Sequence, residues 1–255
     1  MFRTRSRWFY VVAACMGLLP SIVVAAETDF NTWVSGFRQE AEAKGISRQL
    51  LDRAFVGVSP NPRIIELDRK QPEGTMTLEQ YLTRVVTEQR VAEGRRLMAQ
   101  HKVLLERVSR TYGVQPRFIV ALWGIETNFG KNTGGFSIVE ALSTLAYDGR
   151  RSAFFRQELL DALSIIDAGH ISLAEMKGSW AGALGQCQFM PSSFLKFAED
   201  FDKDGRKDIW NDLEDTFASI ANYLARSGWD NERTWGREVH YPQDFARDSA
   251  GLSNI

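Results

Sequence analysis

The helical character of the chain is clearest in the stretch Pro116-Arg-Phe-Ile-Val-Ala-Leu-Trp-Gly-Ile-Glu-Thr-Asn-Phe-Gly130. Proline is favoured at the first position of a helix and glycine just after its end, so this stretch predicts one helix between Pro116 and Gly130. Apolar residues recur at helical spacing almost throughout the chain, and no long run alternates apolar and polar residues as a half-buried strand does. The sequence therefore predicts a mainly α fold.

The neighbouring helices can be placed from their start and stop signals. Thr77 and Gln80 form a capping-box pattern, which opens a long helical stretch that ends at Gly113. The segment Ser59-Pro-Asn-Pro62 predicts a loop. The other predicted helices span residues 33–44, 47–55, 138–146, 152–168, 192–199 and 215–226.

Residues 1–26 have the pattern of an export signal. Three arginines within the first seven residues precede a mostly apolar run that ends in small residues at Ala26. We expect cleavage after Ala26 and a periplasmic protein. Two alternatives stay open. The run is about long enough to form a permanent membrane span. In addition, Val12-Ala-Ala-Cys15 loosely matches a lipoprotein box, in which case lipidated Cys15 would anchor the protein to a membrane.

The charge and cysteine content argue against a nucleic-acid-binding protein and against a fold stabilised by disulfides. The chain has 31 Lys+Arg against 32 Asp+Glu, and loss of the three leader arginines leaves 28 basic residues, a formal charge of −4. Because the basic residues are interspersed with acidic ones, we expect no nucleic-acid partner. After cleavage only Cys187 is left. An intramolecular disulfide is therefore excluded, and packing must stabilise the fold.

Glu126 is the first candidate for catalysis. Leu122, Trp123 and Phe129 stand three and four residues from it, which predicts apolar side chains around its carboxyl group. Desolvation raises the pKa of a carboxyl group, and one that stays protonated near neutrality can protonate a glycosidic oxygen. The alternative is a glutamate that reaches solvent or caps a neighbouring helix.

A second unusual segment is Met176-Lys-Gly-Ser-Trp-Ala-Gly-Ala-Leu-Gly-Gln-Cys-Gln-Phe-Met-Pro191, called here the glycine-rich segment. Its glycines permit close approach of the backbone to a partner, and it lacks the Gly-Lys-Ser/Thr ending of a phosphate loop. Ser179, Gln186 and Gln188 are neutral donors and acceptors that suit sugar hydroxyl and acetamido groups. The alternative is a tight connection between helices.

A third segment, Asp200-Phe-Asp-Lys-Asp-Gly-Arg-Lys-Asp-Ile-Trp210, matches the first half of an EF-hand calcium loop, with Gly205 at the sharp turn. Asn211 stands at position twelve, where a glutamate is usual, so the last ligand must come later in the chain. The predicted ligands are Asp200, Asp202, Asp204, the backbone carbonyl of Arg206, and either Asp215 or Glu214. The alternative is a solvated acidic turn that caps a helix.

Four segments, in order, resemble motifs of the membrane-bound lytic murein transglycosylase B family, which is lysozyme-like. These motifs are Ala121–Gly130, Ala141–Arg151, Gly178–Ser192 and the acidic loop that begins at Asp200. The resemblance implies a lysozyme-like catalytic domain at residues 76–235. A smaller helical region at 27–75 precedes it, and a polar tail at 236–255 follows. One departure is that nothing between Trp235 and Ile255 matches the Tyr-Asn pair that completes the family's sugar cleft.

The resemblance also implies roles for individual residues. Glu126 would be the catalytic acid and base. The implied substrate-binding residues are Tyr81, Arg150, Arg151, Ser179, Gln188, Met190 and Tyr223. The implied ligands of a structural Ca²⁺ ion are Asp200, Asp202, Asp204, Arg206 and Asp215. The alternatives are ordinary core packing for the two tyrosines and surface salt bridges for the two arginines.

The activity that the resemblance implies is cleavage of the β-1,4 bond between N-acetylmuramic acid and N-acetylglucosamine, with 1,6-anhydromuramoyl ends as product. Two alternatives compete with it: a lysozyme-type hydrolase, and a calcium-stabilised peptidoglycan-binding protein with weak or no activity. The expected partners are the glycan strands of peptidoglycan and complexes of cell-wall synthesis or division. We expect the protein to be a monomer.

Overall fold

The computed structural model describes residues 29–70 and 77–233, together with Gly236 and His240. This part of the chain is mainly helical, as the sequence predicts. The predicted leader and most of the predicted polar tail lie outside the described residues, and none of the described helices is long and apolar enough to cross a membrane. The helices are α1 (Phe30–Ala43), α2 (Arg48–Ala54), α3 (Pro62–Arg69), α4 (Leu78–Val85), α5 (Glu88–Gln100), α6 (Lys102–Tyr112), α7 (Pro116–Thr127), α8 (Ile138–Asp148), α9 (Ser152–Asp167), α10 (Pro191–Phe197) and α11 (Leu213–Arg226).

Three helices, α1 to α3, form the described N-terminal region, and α2 and α3 are short. Each is capped by a side chain that accepts backbone N–H groups of its first turn, from Asp29, Ser47 and Asn61 respectively. α3 was not predicted, and the predicted loop at 59–62 ends one residue early. The reason is that Pro62 occupies the first turn of α3, where a helix needs no N–H donor.

The prediction of one unbroken helix from Thr77 to Gly113 is wrong, although both of its ends are confirmed. The capping box of Thr77 begins α4, and Gly113, with φ +71°, ends α6. Between them, Thr87 adopts extended backbone and its hydroxyl accepts the N–H of Arg90, which starts α5. His101 then separates α5 from α6. A side-chain cap at Thr87 interrupts a stretch whose apolar spacing alone indicates continuity.

α7 begins at Pro116 as predicted, but it ends at Thr127, three residues before Gly130. Asn128 and Phe129 both adopt left-handed backbone, with φ of 51° and 61°. The chain reverses there, and the Phe129 ring folds back over α7. A methyl carbon at Gly124 would lie 2.6 Å from Cε1 of that ring, so only glycine leaves room for this reversal.

The core lies between the later helices. α8 and α9 pack side by side, α3 lies against α8, α10 against α9, and α11 against α6 and α7. Phe217 of α11 is fully buried, and its ring centroid is 5.1 Å from that of Trp123 in α7. Burial of one such side chain contributes about 1.5–3 kcal/mol. Packing of this kind fixes α7 and α11 next to each other.

Two short strands attach the glycine-rich segment to this core. β1 (Phe136–Ser137) pairs antiparallel with β2 (Lys177–Gly178), with Phe136 opposite Gly178. Gly178 has no room for a side chain, because a methyl carbon there would lie 2.0 Å from the Ala183 carbonyl oxygen. The segment therefore folds tightly on itself before it reaches α10.

Candidate active site

Glu126 lies in the last turn of α7 and lines a pocket of about 190 Å³. The pocket is formed by α7, the end of the glycine-rich segment, the start of α10 and one face of α11. Its lining residues are Leu122, Glu126, Cys187, Gln188, Phe189, Met190, Ser193, Ile220 and Tyr223. Larger pockets, of up to about 560 Å³, lie elsewhere on the described residues. The choice of this site therefore rests on the chemistry of Glu126 and not on volume.

The surroundings of Glu126 favour the protonated form of its carboxyl group. As a whole residue Glu126 is exposed, since the pocket is open to solvent, but partial burial among apolar neighbours raises the pKa of the carboxyl group. The described residues form no hydrogen bond or ion pair with it. Glu126 is also the one carboxylate among the residues that line this pocket.

The predicted apolar neighbours of Glu126 are correct only in part. Leu122 lines the pocket. Trp123 is 3% exposed and points into the core, where its indole N–H donates to Gln186. Phe129 packs on Gly124 instead, because α7 ends before it and the backbone turns left-handed. Residues 187–190 supply most of the apolar wall in their place.

Gln188 and Met190, both implied substrate contacts, lie in the pocket with Glu126. The Gln188 side-chain amide nitrogen donates to the carbonyls of Gly185 (3.0 Å) and Thr133 (3.2 Å). The amide group is thus held by its nitrogen. Its oxygen accepts no hydrogen bond from the residues that the structure describes, which leaves an acceptor for a ligand.

Ser179 and Gln186 do not line the pocket. The Ser179 hydroxyl accepts the N–H groups of Ala181 and Ala183 and so shapes the turn of the glycine-rich segment. Gln186 is 8% exposed, and its amide is fully engaged with Trp123 and the Trp210 carbonyl. The structure does not support the sugar-binding interpretation of Gln186, since its amide is buried outside the pocket and both its oxygen and its nitrogen are hydrogen-bonded to the protein.

The two tyrosines differ in position. Tyr223 lines the pocket from α11 and is 39% exposed, and its ring centroid is 5.6 Å from that of Phe189. A ring held in this way can stack on a sugar face. Tyr81 is 38% exposed on α4 and is not among the residues that line the pocket.

Arg150 and Arg151 both bind the carboxylate of Asp68 in α3. The Arg150 Nε lies 2.8 Å from one carboxylate oxygen, and the Arg151 guanidinium lies 2.5 Å from the other. Asp68 is 2% exposed, whereas the arginine side chains are half-exposed. Both arginines therefore form salt bridges with a buried partner, and their implied contact with substrate stays a prediction. A carboxylate 82 residues away was not predicted, because no local pattern links it to the arginines.

Three of the predicted calcium ligands lie together. One carboxylate oxygen from each of Asp200, Asp202 and Asp204 lies within 4.8 Å of the other two. Asp215 is 1% exposed and stands outside this group, and its two oxygens accept the N–H groups of Phe201 and Asp208, each at 2.7 Å. Through these two hydrogen bonds Asp215 connects the beginning and the later part of the acidic loop. Glu214, the other candidate for the last ligand, forms an ion pair with Arg107.

The sequence also missed residues of the pocket itself. Cys187 is buried, and burial raises the pKa of its thiol well above the usual range. A buried thiol of raised pKa is a poor nucleophile, so we assign Cys187 no role in the chemistry. Ile220 precedes Tyr223 by three residues in α11, so helical spacing from that tyrosine was a usable signal. Leu122 and Ile220 supply the apolar floor around the carboxyl group.

Comparisons with known proteins agree on one group. A protein-family profile described as "Transglycosylase SLT domain" matches residues 29–255. The chain is 37% identical over 150 residues to membrane-bound lytic murein transglycosylase B of Escherichia coli (strain K12), an alignment that covers 58% of this chain and 41% of that protein. The chain therefore spans less than half of the length of that relative.

Solved structures give the same result. SltB3 from Pseudomonas aeruginosa, in complex with NAG-NAM-pentapeptide, is 44% identical with a TM-score of 0.85, over 89% of this chain and 60% of that one. The Escherichia coli lytic transglycosylase Slt35, in complex with calcium, is 32% identical with a TM-score of 0.71, over 79% of this chain and 64% of that one.

Proposed function

The chain belongs to the transglycosylase SLT domain family, and from this premise we propose that it cleaves the glycan strands of peptidoglycan with Glu126 as acid and base. The observation that carries the proposal is the position of Glu126. It is a carboxyl group of raised pKa in a pocket that offers no second carboxylate among its lining residues. The complex of SltB3 with NAG-NAM-pentapeptide supports the substrate class.

The proposed reaction uses one protein carboxyl group. Protonated Glu126 donates its proton to the glycosidic oxygen as the bond from that oxygen to C1 of N-acetylmuramic acid breaks, and the substrate's acetamide oxygen attacks C1. The resulting Glu126 carboxylate then takes the proton of the C6 hydroxyl, whose oxygen displaces the acetamide at C1. A 1,6-anhydro ring results, and Glu126 is protonated again.

Each wall of the pocket has a place in this scheme. The free amide oxygen of Gln188 can accept a hydrogen bond from a sugar hydroxyl or acetamido N–H group. Tyr223 and Met190 offer apolar surface to a sugar ring. Tyr81 and Ser179 would contact strands that extend beyond the pocket. The exposed parts of Arg150 and Arg151 would meet the anionic peptide part while Asp68 holds them in place.

Two alternatives predict different products. A lysozyme-type hydrolase would deliver water to C1 and leave reducing ends, and a binding protein would leave the strands intact. Mass spectrometry of muropeptides released by the purified protein distinguishes all three outcomes. We expect anhydro ends; reducing ends or no release would contradict the proposal.

Activity should fall as the pH rises through the raised pKa of Glu126, because only the protonated carboxyl group can donate. The alkaline limb of the pH profile of kcat/KM, which reports the free enzyme, should therefore lie above the value near 4.3 at which an ordinary glutamate titrates. Initial rates of anhydro-muropeptide release against pH measure it. Cys187→Ser and Tyr223→Phe remove the other titratable side chains of the pocket and should leave the limb in place. A limb at the ordinary glutamate value would contradict the prediction.

We also propose that the acidic loop binds a structural calcium ion. Oxygens that coordinate one Ca²⁺ at about 2.3–2.6 Å must lie within about 5 Å of one another, and the carboxylates of Asp200, Asp202 and Asp204 meet this condition. The Arg206 carbonyl and Asp215 would complete the set. The ion would offset the repulsion among these carboxylates and stabilise the loop against the core. The calcium complex of Slt35 supports the choice of metal.

Calcium should raise the melting temperature, and chelation should lower it. A ligand present at about 100 times its Kd stabilises the folded state by about 2.7 kcal/mol. Asp202→Asn should abolish most of this response, whereas Glu106→Gln, which removes an exposed carboxylate of α6, should preserve it. Differential scanning calorimetry with calcium and with a chelator measures the shift. Identical melting curves in the two conditions would argue against a bound ion.

The proposed location is the periplasm, after removal of residues 1–26. The Escherichia coli relative is a membrane-bound enzyme by name, which keeps lipidation of Cys15 as the alternative. Mass spectrometry of the mature N-terminus from cells distinguishes cleavage after Ala26 from a lipidated Cys15. Glycan strands are the proposed partner of a monomeric enzyme. Complexes with cell-wall synthesis or division proteins would require surfaces other than this pocket.

A further inference from the structure

Gln186 forms a buried junction behind the pocket. Its side-chain oxygen accepts the indole N–H of Trp123 at 2.7 Å, and its side-chain nitrogen donates to the Trp210 carbonyl at 2.9 Å. Its backbone N–H donates to the Ile209 carbonyl at 2.8 Å. Its own carbonyl lies 3.2 Å from the Thr127 hydroxyl. Every polar group of this residue is therefore bonded inside the protein.

These bonds tie together three segments that are distant in sequence. Trp123 and Thr127 belong to the C-terminal part of α7, Gln186 belongs to the glycine-rich segment, and Ile209 and Trp210 are the last two residues of the acidic segment. Buried polar groups that lose a partner cost far more than an exposed hydrogen bond contributes, so such a junction tolerates only one arrangement of its segments.

Two residues that flank Glu126 in sequence belong to this junction. Trp123 stands three residues before Glu126 and Thr127 one residue after it, and both contact Gln186. Close packing against Gln186 extends beyond the end of α7, because a methyl carbon at Gly130 would lie 2.3 Å from the Gln186 side-chain oxygen. Gly130 also donates its N–H to the Thr127 hydroxyl. The turn that carries Glu126 therefore has little freedom to rotate or shift.

Another part of the pocket lining lies close to Gln186 in sequence. Gln188 lies two residues after Gln186 and lines the pocket with Glu126. A movement of Gln186 relative to α7 would change the separation of Glu126 from Gln188 and Met190. Such a change alters both the reach of the proton donor and the access of water to it.

We propose that Gln186 is a positioning residue for the reaction, which fixes the end of α7 against the glycine-rich segment so that Glu126 and Gln188 are held in one pocket. The inference rests on the proposed function of Glu126. It assigns Gln186 no contact with substrate, since its amide is buried and both its oxygen and its nitrogen bond to other parts of the protein.

The test compares Gln186→Met with Gln186→Glu. Methionine keeps the volume and removes both side-chain hydrogen bonds, so kcat should fall by about 10- to 100-fold, in keeping with misplacement of a catalytic group by up to about 1 Å. KM should change far less. Water that enters the loosened pocket should also move the alkaline limb to lower pH. In Gln186→Glu the donor to Trp210 returns when the side chain is protonated, so kcat relative to the unchanged protein should recover as the pH falls.

Thr144→Val is the matched control for stability. Thr144 is fully buried, accepts the N–H of Asn61, and lines no part of the pocket. This variant should lower the melting temperature without moving kcat or the alkaline limb. A purely structural role for Gln186 predicts the same result for Gln186→Met, and that result would overturn the proposal.

If Gln186→Met does not fold, a second variant tests whether Gln186 positions Glu126. Trp123→Phe keeps an aromatic ring in the core and leaves the Gln186 oxygen without its indole donor. It should reproduce the fall in kcat and the shifted limb, and unchanged values of both would overturn the proposal. Failure of the proposed function is seen separately, because Glu126→Gln would then remain active whatever the Gln186 variants do.

Discussion

Glu126→Gln should lower kcat for release of anhydro-muropeptides by about 10²- to 10⁴-fold, the usual contribution of general acid/base catalysis. Glutamine keeps the shape of the side chain and its place beside Leu122 and Gln188, but it has no acidic proton to donate to the glycosidic oxygen. The affinity for glycan strands should change little, since the rest of the pocket is intact. Steady-state kinetics and sedimentation of the variant with peptidoglycan measure the two quantities.

The stability of the same variant gives an independent check. Partial burial raises the pKa of Glu126 in the folded state, so the folded protein binds this proton more tightly than the unfolded chain does. The stabilisation is complete below the ordinary glutamate pKa and is lost as the pH rises through the raised one. At neutral pH the ionised carboxylate therefore costs stability, and Glu126→Gln should melt at the same or a higher temperature.

Glu140→Gln is the matched control for both measurements. Glu140 is the first carboxylate after Glu126 and lies in the first turn of α8, outside the pocket. Its loss should leave kcat nearly unchanged. An active Glu126→Gln, or an equally inactive Glu140→Gln, would remove the basis of the proposed mechanism.

Local signals predicted most helix ends and failed where one signal overrode another. Thr77 with Gln80, Gly113 and Pro116 are all found at the helix ends that the sequence indicates. The break at Thr87 was missed because a threonine in a helical pattern can either continue the helix or cap a new one. Only its bond to the Arg90 N–H distinguishes the two outcomes.

The pocket shows what spacing along a sequence can and cannot predict. Glu126, Gln188, Met190 and Tyr223 were candidates from motifs far apart in the chain, and the structure brings them into one pocket. Their roles stay predictions. Trp123 was predicted to lie on the same side of α7 as Glu126. Helical spacing, however, does not say which residues of that side are buried in the core. Its burial depends on Phe217, almost a hundred residues away.

Gly134→Ala should destabilise the folded state by about 2–5 kcal/mol. Gly134 has φ +93°, a left-handed conformation that costs an alanine about 1–2 kcal/mol. An added methyl carbon would also lie 2.1 Å from the Gly178 carbonyl oxygen and 2.6 Å from the Ser179 nitrogen. Both are backbone atoms of the glycine-rich segment, so no side chain can move aside, and overpacking of this kind costs about 1–3 kcal/mol more.

Gly135→Ala separates this effect from the general cost of replacing a glycine. No heavy atom lies within 4 Å of the position that a methyl carbon at Gly135 would take, and its φ is not in the left-handed region. An alanine there should be neutral or stabilise by up to about 1 kcal/mol, through a less flexible unfolded chain. Urea denaturation midpoints of the two variants make the comparison, and equal midpoints would contradict it. Because the Thr133 carbonyl beside Gly134 accepts the Gln188 amide, Gly134→Ala that still folds should lose activity as well, whereas Gly135→Ala should keep it.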